Sequence, residues 1–200
     1  MIHLFKEGNP TKPVFLLLHG TGGNEYDLLP IAEFIDPEAS ILSVRGNILE
    51  NGMPRFFKRL AEGVFDEEDL IKETKQLYDF INQAAEKYHF DRKKVIALGY
   101  SNGANIAASL LFLYEQSLKG AILLHPMTPF KNKKPQYLHH MPVFMSAGEN
   151  DLLCSPTESQ RLQQLLTQAD GDVSIEWGKN GHALTQKEMQ AAKKWYHDRF

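Results

Sequence analysis

Short apolar runs recur along the chain, separated by longer stretches of helical period: "VFLLL" (14–18), "SILSV" (40–44), "KVIAL" (94–98), "AILL" (121–124), "VFMSA" (143–147) and "VSIEW" (173–177). A strand that is apolar on both faces must be covered on both faces, so this alternation predicts an α/β protein: a mostly parallel central sheet with helices on each side. "IHLF" near the start is expected to add an edge strand. With 200 residues and 42% hydrophobic content the chain can bury one substantial core, and residues 1–200 are read as a single domain.

The intervening stretches carry helix-start signals. Asp66 precedes the acidic "EED", and Leu70, Leu77, Ile81 and Tyr88 then fall on one face. Ser155, Pro156 and Glu158 read as a capping box ahead of Leu162, Leu165 and Leu166, and "TQKE" from Thr185 repeats the box before Met189 and Trp195. These residues are given a structural role only. Residues 45–65, "RGNILENGMPRFFKRLAEGVF", have no clear period, and a loop of that length in a compact domain is more often functional than idle.

Lys and Arg total 22 against 25 Asp and Glu, without a basic block, so no nucleic-acid partner is expected. The N-terminus "MIHLFKEGNP" lacks the apolar core of a signal peptide, and no apolar run approaches the length of a membrane span. Cys154 is the only cysteine, which suits a reducing compartment. A cytoplasmic protein without membrane insertion is expected. The oligomeric state is left open, a homodimer included.

"LGYSNGAN" places a serine at the corner between a predicted strand and a predicted helix, with glycines two residues away on either side. G-x-S-x-G is a nucleophile elbow only in that strand-to-helix context, where the glycines permit a strained turn that exposes the hydroxyl. Ser101 is therefore the candidate nucleophile. A serine hydroxyl needs a histidine base, and that histidine needs a carboxylate to fix its tautomer. Asp151 follows the strand "VFMSA" in "GENDLLCSP", and His182 follows the next strand in "GKNGHAL". Their order, Ser101, Asp151, His182, is the one expected of the α/β-hydrolase fold.

The rivals are weaker. His139 and His140 precede a strand, which puts them at the wrong end of the sheet; His125 lies on the correct edge but needs an acid from elsewhere. Glu149 is the alternative acid, Asp170 and Asp172 read as turn residues, and Cys154 has no elbow around it and reads as a buried thiol. For an oxyanion, "LLLHGTGGNE" supplies a backbone N–H at Thr21, and Asn102, next to the nucleophile, supplies another. His19 then shapes the loop.

Together, "LLHGTGGNE", "RGNILENGMPRFF", "GYSNGAN", "GENDLLCSP" and "GHAL" resemble the phospholipase/carboxylesterase group of α/β-hydrolases, which includes bacterial carboxylesterases and the acyl-protein thioesterases. The likeness runs nearly end to end. It implies a minimal α/β-hydrolase without a lid domain, carboxylic ester hydrolysis through an acyl-enzyme, and a small-molecule ester substrate. In the loop, "MPRFFKR" replaces the tryptophan-bearing stretch of the thioesterases, which argues against lipid-chain substrates. Dienelactone hydrolases are a related comparison, but their nucleophile is cysteine. An acyl-protein thioesterase or lysophospholipase-like hydrolase is the enzymatic alternative. A ligand-binding module on the same fold is the non-enzymatic one, and a broken triad would mark it.

Met53, Phe56, Phe57, Phe65 and Met127 have two open readings: they line an acyl or alcohol pocket, or they pack the long loop onto the domain. No metal-ligand spacing, P-loop or dinucleotide fingerprint appears, so neither metal nor cofactor is expected.

Overall fold

The computed structural model describes residues 1–200. Its main sheet contains β1 (His3–Lys6), β2 (Val14–Leu18), β3 (Ser40–Val44), β8 (Val95–Tyr100), β9 (Gly120–Leu124), β10 (Pro142–Gly148) and β11 (Asp172–Gly178). They lie in the order β1-β3-β2-β8-β9-β10-β11. Only β1 runs antiparallel to its neighbour, as an edge strand; every other pairing is parallel. Each apolar run became a strand; β2 and β3 keep the expected ends, and one or both ends of the others move by one or two residues.

Alternation along the strands divides the core. In β2, Val14, Leu16 and Leu18 join a cluster of 30 buried residues on one face, where α2 (Glu67–Tyr88), α3 (Asn102–Leu113) and α4 (Pro156–Gln168) pack. Phe15 and Leu17 point the other way, into 15 buried residues beneath α1 (Leu29–Ile35) and α5 (Gln186–His197). Sheet pleat and helix stripe thus produce the three layers expected of the apolar pattern.

The caps show where sequence signals act locally. Asp66 accepts from the Asp69 N–H at the start of α2, and at α5 both halves of the Thr185/Glu188 box form. The box at α4 is only half made: Ser155 accepts from the Glu158 N–H, while the Glu158 carboxylate turns to Arg161 at 3.6 Å. The short helix α1 was not anticipated. Nor were the two hairpins inside residues 45–65, one pairing β4 (Ile48–Glu50) with β5 (Met53–Arg55), the other β6 (Arg59–Ala61) with β7 (Val64–Phe65).

These hairpins lie over the carboxyl ends of the strands and are tied to them. The Gly22 N–H donates to the Pro54 carbonyl at 2.9 Å, the Phe56 N–H to Asn102 Oδ1 at 2.8 Å, and the Gly46 N–H to His19 Nε2 at 3.0 Å. His19 Nε2 therefore accepts, and its Nδ1–H donates to the Gly20 carbonyl at 2.6 Å. A buried imidazole thus fixes the shape of the glycine loop, the role expected of it.

Phe56 and Phe57 are 1% and 0% exposed and belong to the main core. Their side chains anchor the loop and do not line the cavity at the site, so of the two open readings packing applies to both. The Phe57 ring meets Phe65 edge-on at 5.0 Å. Truncating Phe57 to Ala should cost about 3–5 kcal/mol of stability, as expected for a buried aromatic. Urea denaturation checks it; a midpoint equal to the parent's would show that the ring anchors nothing.

Candidate active site

Ser101 follows β8 with φ 51° and ψ −113°, a positive-φ conformation rarely adopted by non-glycine residues. Its backbone is held on both sides: the Ser101 N–H donates to the Leu124 carbonyl at 2.9 Å, and its carbonyl accepts from the Asn105 N–H at 3.0 Å. The flanking glycines answer close approach. A Cβ on Gly103 would collide with the Leu18 carbonyl, and one on Gly99 with the backbone of Gly103 and Ala104. Glycine at 99 thus lets the nucleophile strand turn tightly into α3, and glycine at 103 lets α3 start against the end of β2 at backbone distance.

From this corner a hydrogen-bonded chain runs across the sheet. Ser101 Oγ lies 2.8 Å from His182 Nε2, and His182 Nδ1 lies 2.7 Å from Asp151 Oδ2. Since the carboxylate only accepts, Nδ1 carries the proton and Nε2 is free to accept from the serine. The other Asp151 oxygen accepts from the Leu153 and Cys154 N–H groups at 2.8 and 3.0 Å. Burial works to raise the Asp151 pKa. The Cys154 N–H, the two imidazoles beside it and the Leu153 N–H outweigh that effect and hold it below the usual carboxylate value.

Neighbouring loops set the histidine in place. The Gly181 N–H donates to Asn150 Oδ1 at 2.9 Å, and the Tyr100 hydroxyl donates to the His182 carbonyl at 2.8 Å. A Cβ on Gly148 would strike the Gly181 carbonyl, so the end of β10 must also be bare. Glu149, the alternative acid, faces solvent and meets Lys179 at 3.7 Å. Cys154 is buried, its Sγ donates to the Pro126 carbonyl at 2.9 Å, and burial pushes its pKa up to about 11, so it is no nucleophile.

His125 follows β9, between the serine strand and the aspartate strand. Its Nδ1 lies 3.1 Å from Asp151 Oδ2, the oxygen that His182 also uses, and its Nε2 lies 2.8 Å from Glu188 Oε1. The acid missing from its sequence context is thus the one already serving His182, on the opposite side. Glu188 was legible only as a helix cap, and that role is real, since its Oε2 accepts from the Thr185 N–H and hydroxyl at 2.7 Å each. The second oxygen's partner lies 63 residues away along the chain and left no local signal.

A cavity of about 310 Å³ opens over Ser101, near the lower end of the small-molecule range. Of the 15 residues that line it, 4 are hydrophobic. Thr21 and Asn102 are among them, as are Phe65 and Met127; Met53, Phe56 and Phe57 are not. Met53 instead sits beside Gly22 at the loop surface, 39% exposed. As the first residue of α3, Asn102 has no preceding turn to bond, so its main-chain N–H is available to a ligand oxygen. Thr21 lies beside Gly20 on the same wall, and its hydroxyl accepts from Arg55 Nη1 at 2.8 Å.

Arg55 was not singled out in the sequence, although it lies within "MPRFF". It lines the cavity with its side chain only 5% exposed. Nη1 also meets Glu50 Oε2 at 3.3 Å, and Nε donates to the Phe57 carbonyl at 3.3 Å, which leaves Nη2 without a partner in the chain. His125, Asp151 and His182 are metal-capable groups whose ligand atoms lie within 4.8 Å of one another. Asp151 Oδ2 and both Nδ1 atoms are already spent on hydrogen bonds within the cluster, which an ion would have to break. No helix is long and apolar enough to cross a membrane.

Comparison with known proteins gives the family and the fold. Residues 3–198 match the model of a family described as phospholipase/carboxylesterase. The Bacillus subtilis protein MhqD is 55% identical over 196 residues, which are 98% of each chain. The Bacillus cereus carboxylesterase crystal structure superposes with a TM-score of 0.98 at 58% identity, covering 99% of this chain and 94% of that one. A structure of YahD with malic acid gives 0.95 at 37% identity, covering 100% and 99%. A hydrolase with the α/β-hydrolase fold and no lid domain, the chain belongs to the phospholipase/carboxylesterase family.

Proposed function

We propose that the chain is a serine carboxylesterase that hydrolyses small esters, above all those bearing an acidic or strongly polar group near the scissile bond. The observation that carries the first part is the unbroken path from Ser101 Oγ through His182 to Asp151, at 2.8 and 2.7 Å. Ser101 Oγ attacks the ester carbonyl carbon while its proton passes to His182 Nε2. The N–H groups of Thr21 and Asn102 hold the resulting oxyanion, and Asp151 stabilises the imidazolium. Collapse returns the proton to the departing alcohol. Water then gives a proton to His182, attacks the acyl-enzyme and releases the acid, regenerating the serine.

The second part rests on Arg55. Burial of its guanidinium opposes the charge and lowers its pKa, and a carboxylate in the cavity would offset that opposition with a charge-assisted hydrogen bond. Malic acid, with which the relative YahD was solved, is an acid of the kind such a group would hold.

The test compares monomethyl succinate with methyl pentanoate, which replaces the carboxylate by an ethyl group. The parent should prefer the succinate ester, and Arg55→Met should reduce that preference roughly 10- to 100-fold in kcat/KM, the range for a hydrogen bond to a charged group. An equal effect on both esters removes the acidic preference but leaves the esterase. A parent protein that cleaves no ester and takes no fluorophosphonate label overturns the proposal as a whole.

A further inference from the structure

We infer that His125 is a positioning residue: a buried imidazolium, clamped between Asp151 and Glu188, that orients the carboxylate serving His182 and sets the acidic limit of the enzyme's working range. The inference rests on the triad reading above.

Donor counting supports the charged form. Both ring nitrogens of His125 face carboxylate oxygens, at 3.1 Å to Asp151 and 2.8 Å to Glu188, and its side chain is 1% exposed, so water has little access. A neutral imidazole has one N–H and one lone pair, so one nitrogen would point a lone pair at a carboxylate. Only the doubly protonated ring satisfies both contacts. Moving the proton to Glu188 is the alternative, but that carboxylate also accepts from the Thr185 N–H and hydroxyl, contacts that favour its ionised form. Burial opposes a charge on His125, yet the hydrogen bonds from Glu188 and Asp151 prevail and its pKa is raised; that of Glu188 is lowered despite burial.

The backbone bears out the clamp. His125 occupies the left-handed region at φ 53°, and its N–H donates to the Ser146 carbonyl at 2.9 Å, so strand and side chain are fixed together. The groups that face the ring are Asp151 from the loop after β10, Glu188 from α5, His182 at 5.2 Å between centroids and Tyr100 edge-on at 6.2 Å. The Tyr100 hydroxyl is spent on the His182 carbonyl.

Charge balance gives the device its consequence. At rest the two carboxylates face one cation, and when His182 takes the serine proton they face two, so the cluster is neutral at the moment the imidazolium forms. The standing positive charge on His125, 5.2 Å from the neighbouring ring between centroids, repels a second positive charge there. Removing it should move the acid limb of the kcat/KM profile, which reports loss of the base, to higher pH.

The test begins with the unaltered protein. Proton–nitrogen correlation spectra of the imidazoles should show His125 protonated on both nitrogens at neutral pH, where an ordinary histidine is largely neutral. A neutral ring at neutral pH overturns the inference. His125→Gln should then raise the midpoint of the acid limb by roughly one pH unit, as expected when an opposing charge at this range is lost. In Glu188→Gln, which keeps the size but removes one carboxylate, the His125 ring should acquire a titration within the accessible range. Variants that lose stability yet keep the parent's acid limb would show a merely structural contact and refute the role. Ser101→Ala, run in parallel, separates the two failures: an inert Ser101→Ala with an unmoved limb rejects the His125 role alone, whereas an active Ser101→Ala rejects the triad itself.

Discussion

Replacing Ser101 by Ala is expected to lower kcat on a nitrophenyl ester by about 10⁶-fold, and adding His182→Ala to that variant should lower it little further. The reason lies in the geometry of one proton. His182 Nε2, 2.8 Å from Ser101 Oγ, has no base function to perform once the hydroxyl is gone, and the serine is a poor nucleophile once the imidazole is gone. Each single change thus removes the same step, so the effects cannot add. What survives is positioning and the N–H groups of Thr21 and Asn102, which still favour attack by water and leave a residual rate of roughly 10³-fold over solution. Fluorophosphonate titration of each preparation would establish that this residue of activity is not trace parent enzyme. A Ser101→Ala protein that turns over at the parent rate would place the chemistry elsewhere.

The parts of this site that were legible beforehand are those encoded by neighbours in sequence. The apolar runs define the strands, and a strand's carboxyl end locates whatever comes next, so Ser101, Asp151 and His182 could be placed on one rim without knowing any distance. The glycine at 99 was legible for the same reason, since its collision with Ala104 follows from a strand turning sharply into a helix, whereas the approach of Gly103 to Leu18 depends on the neighbouring strand. Glu188 shows the limit. Its capping role is written in four consecutive residues, while its contact with His125 depends on how α5 lies across the end of the sheet. The loop over residues 45–65 hid its hairpins because strands of two and three residues carry too short an alternation to read. Phe56 and Phe57 stayed open for a related reason: aromatic residues in a loop suit a pocket or an anchor alike, and only the burial of both shows that they hold the loop to the domain.

Asp151→Asn should reduce turnover by about 10⁴-fold at neutral pH while leaving the fold in place. The substitution preserves shape and removes the ability to accept at both positions. One oxygen of Asp151 is committed to the Leu153 and Cys154 N–H groups, which an asparagine can serve only with its carbonyl. Its NH₂ group is then forced to the position of Oδ2, where His182 Nδ1–H at 2.7 Å and His125 Nδ1–H at 3.1 Å both donate. Two donors now confront a third. His182 can relieve its share by shifting its proton to Nε2, which makes Nδ1 an acceptor for the amide but leaves the nitrogen facing Ser101 unable to take a proton. The enzyme would hold the wrong tautomer with every atom near its original place. Circular dichroism matching the parent, together with the loss of kcat and retained fluorophosphonate binding at a much slower rate, is the expected combination. Activity within tenfold of the parent would mean that the carboxylate does not fix the tautomer, and the part assigned to Asp151 in the proton path would have to be abandoned.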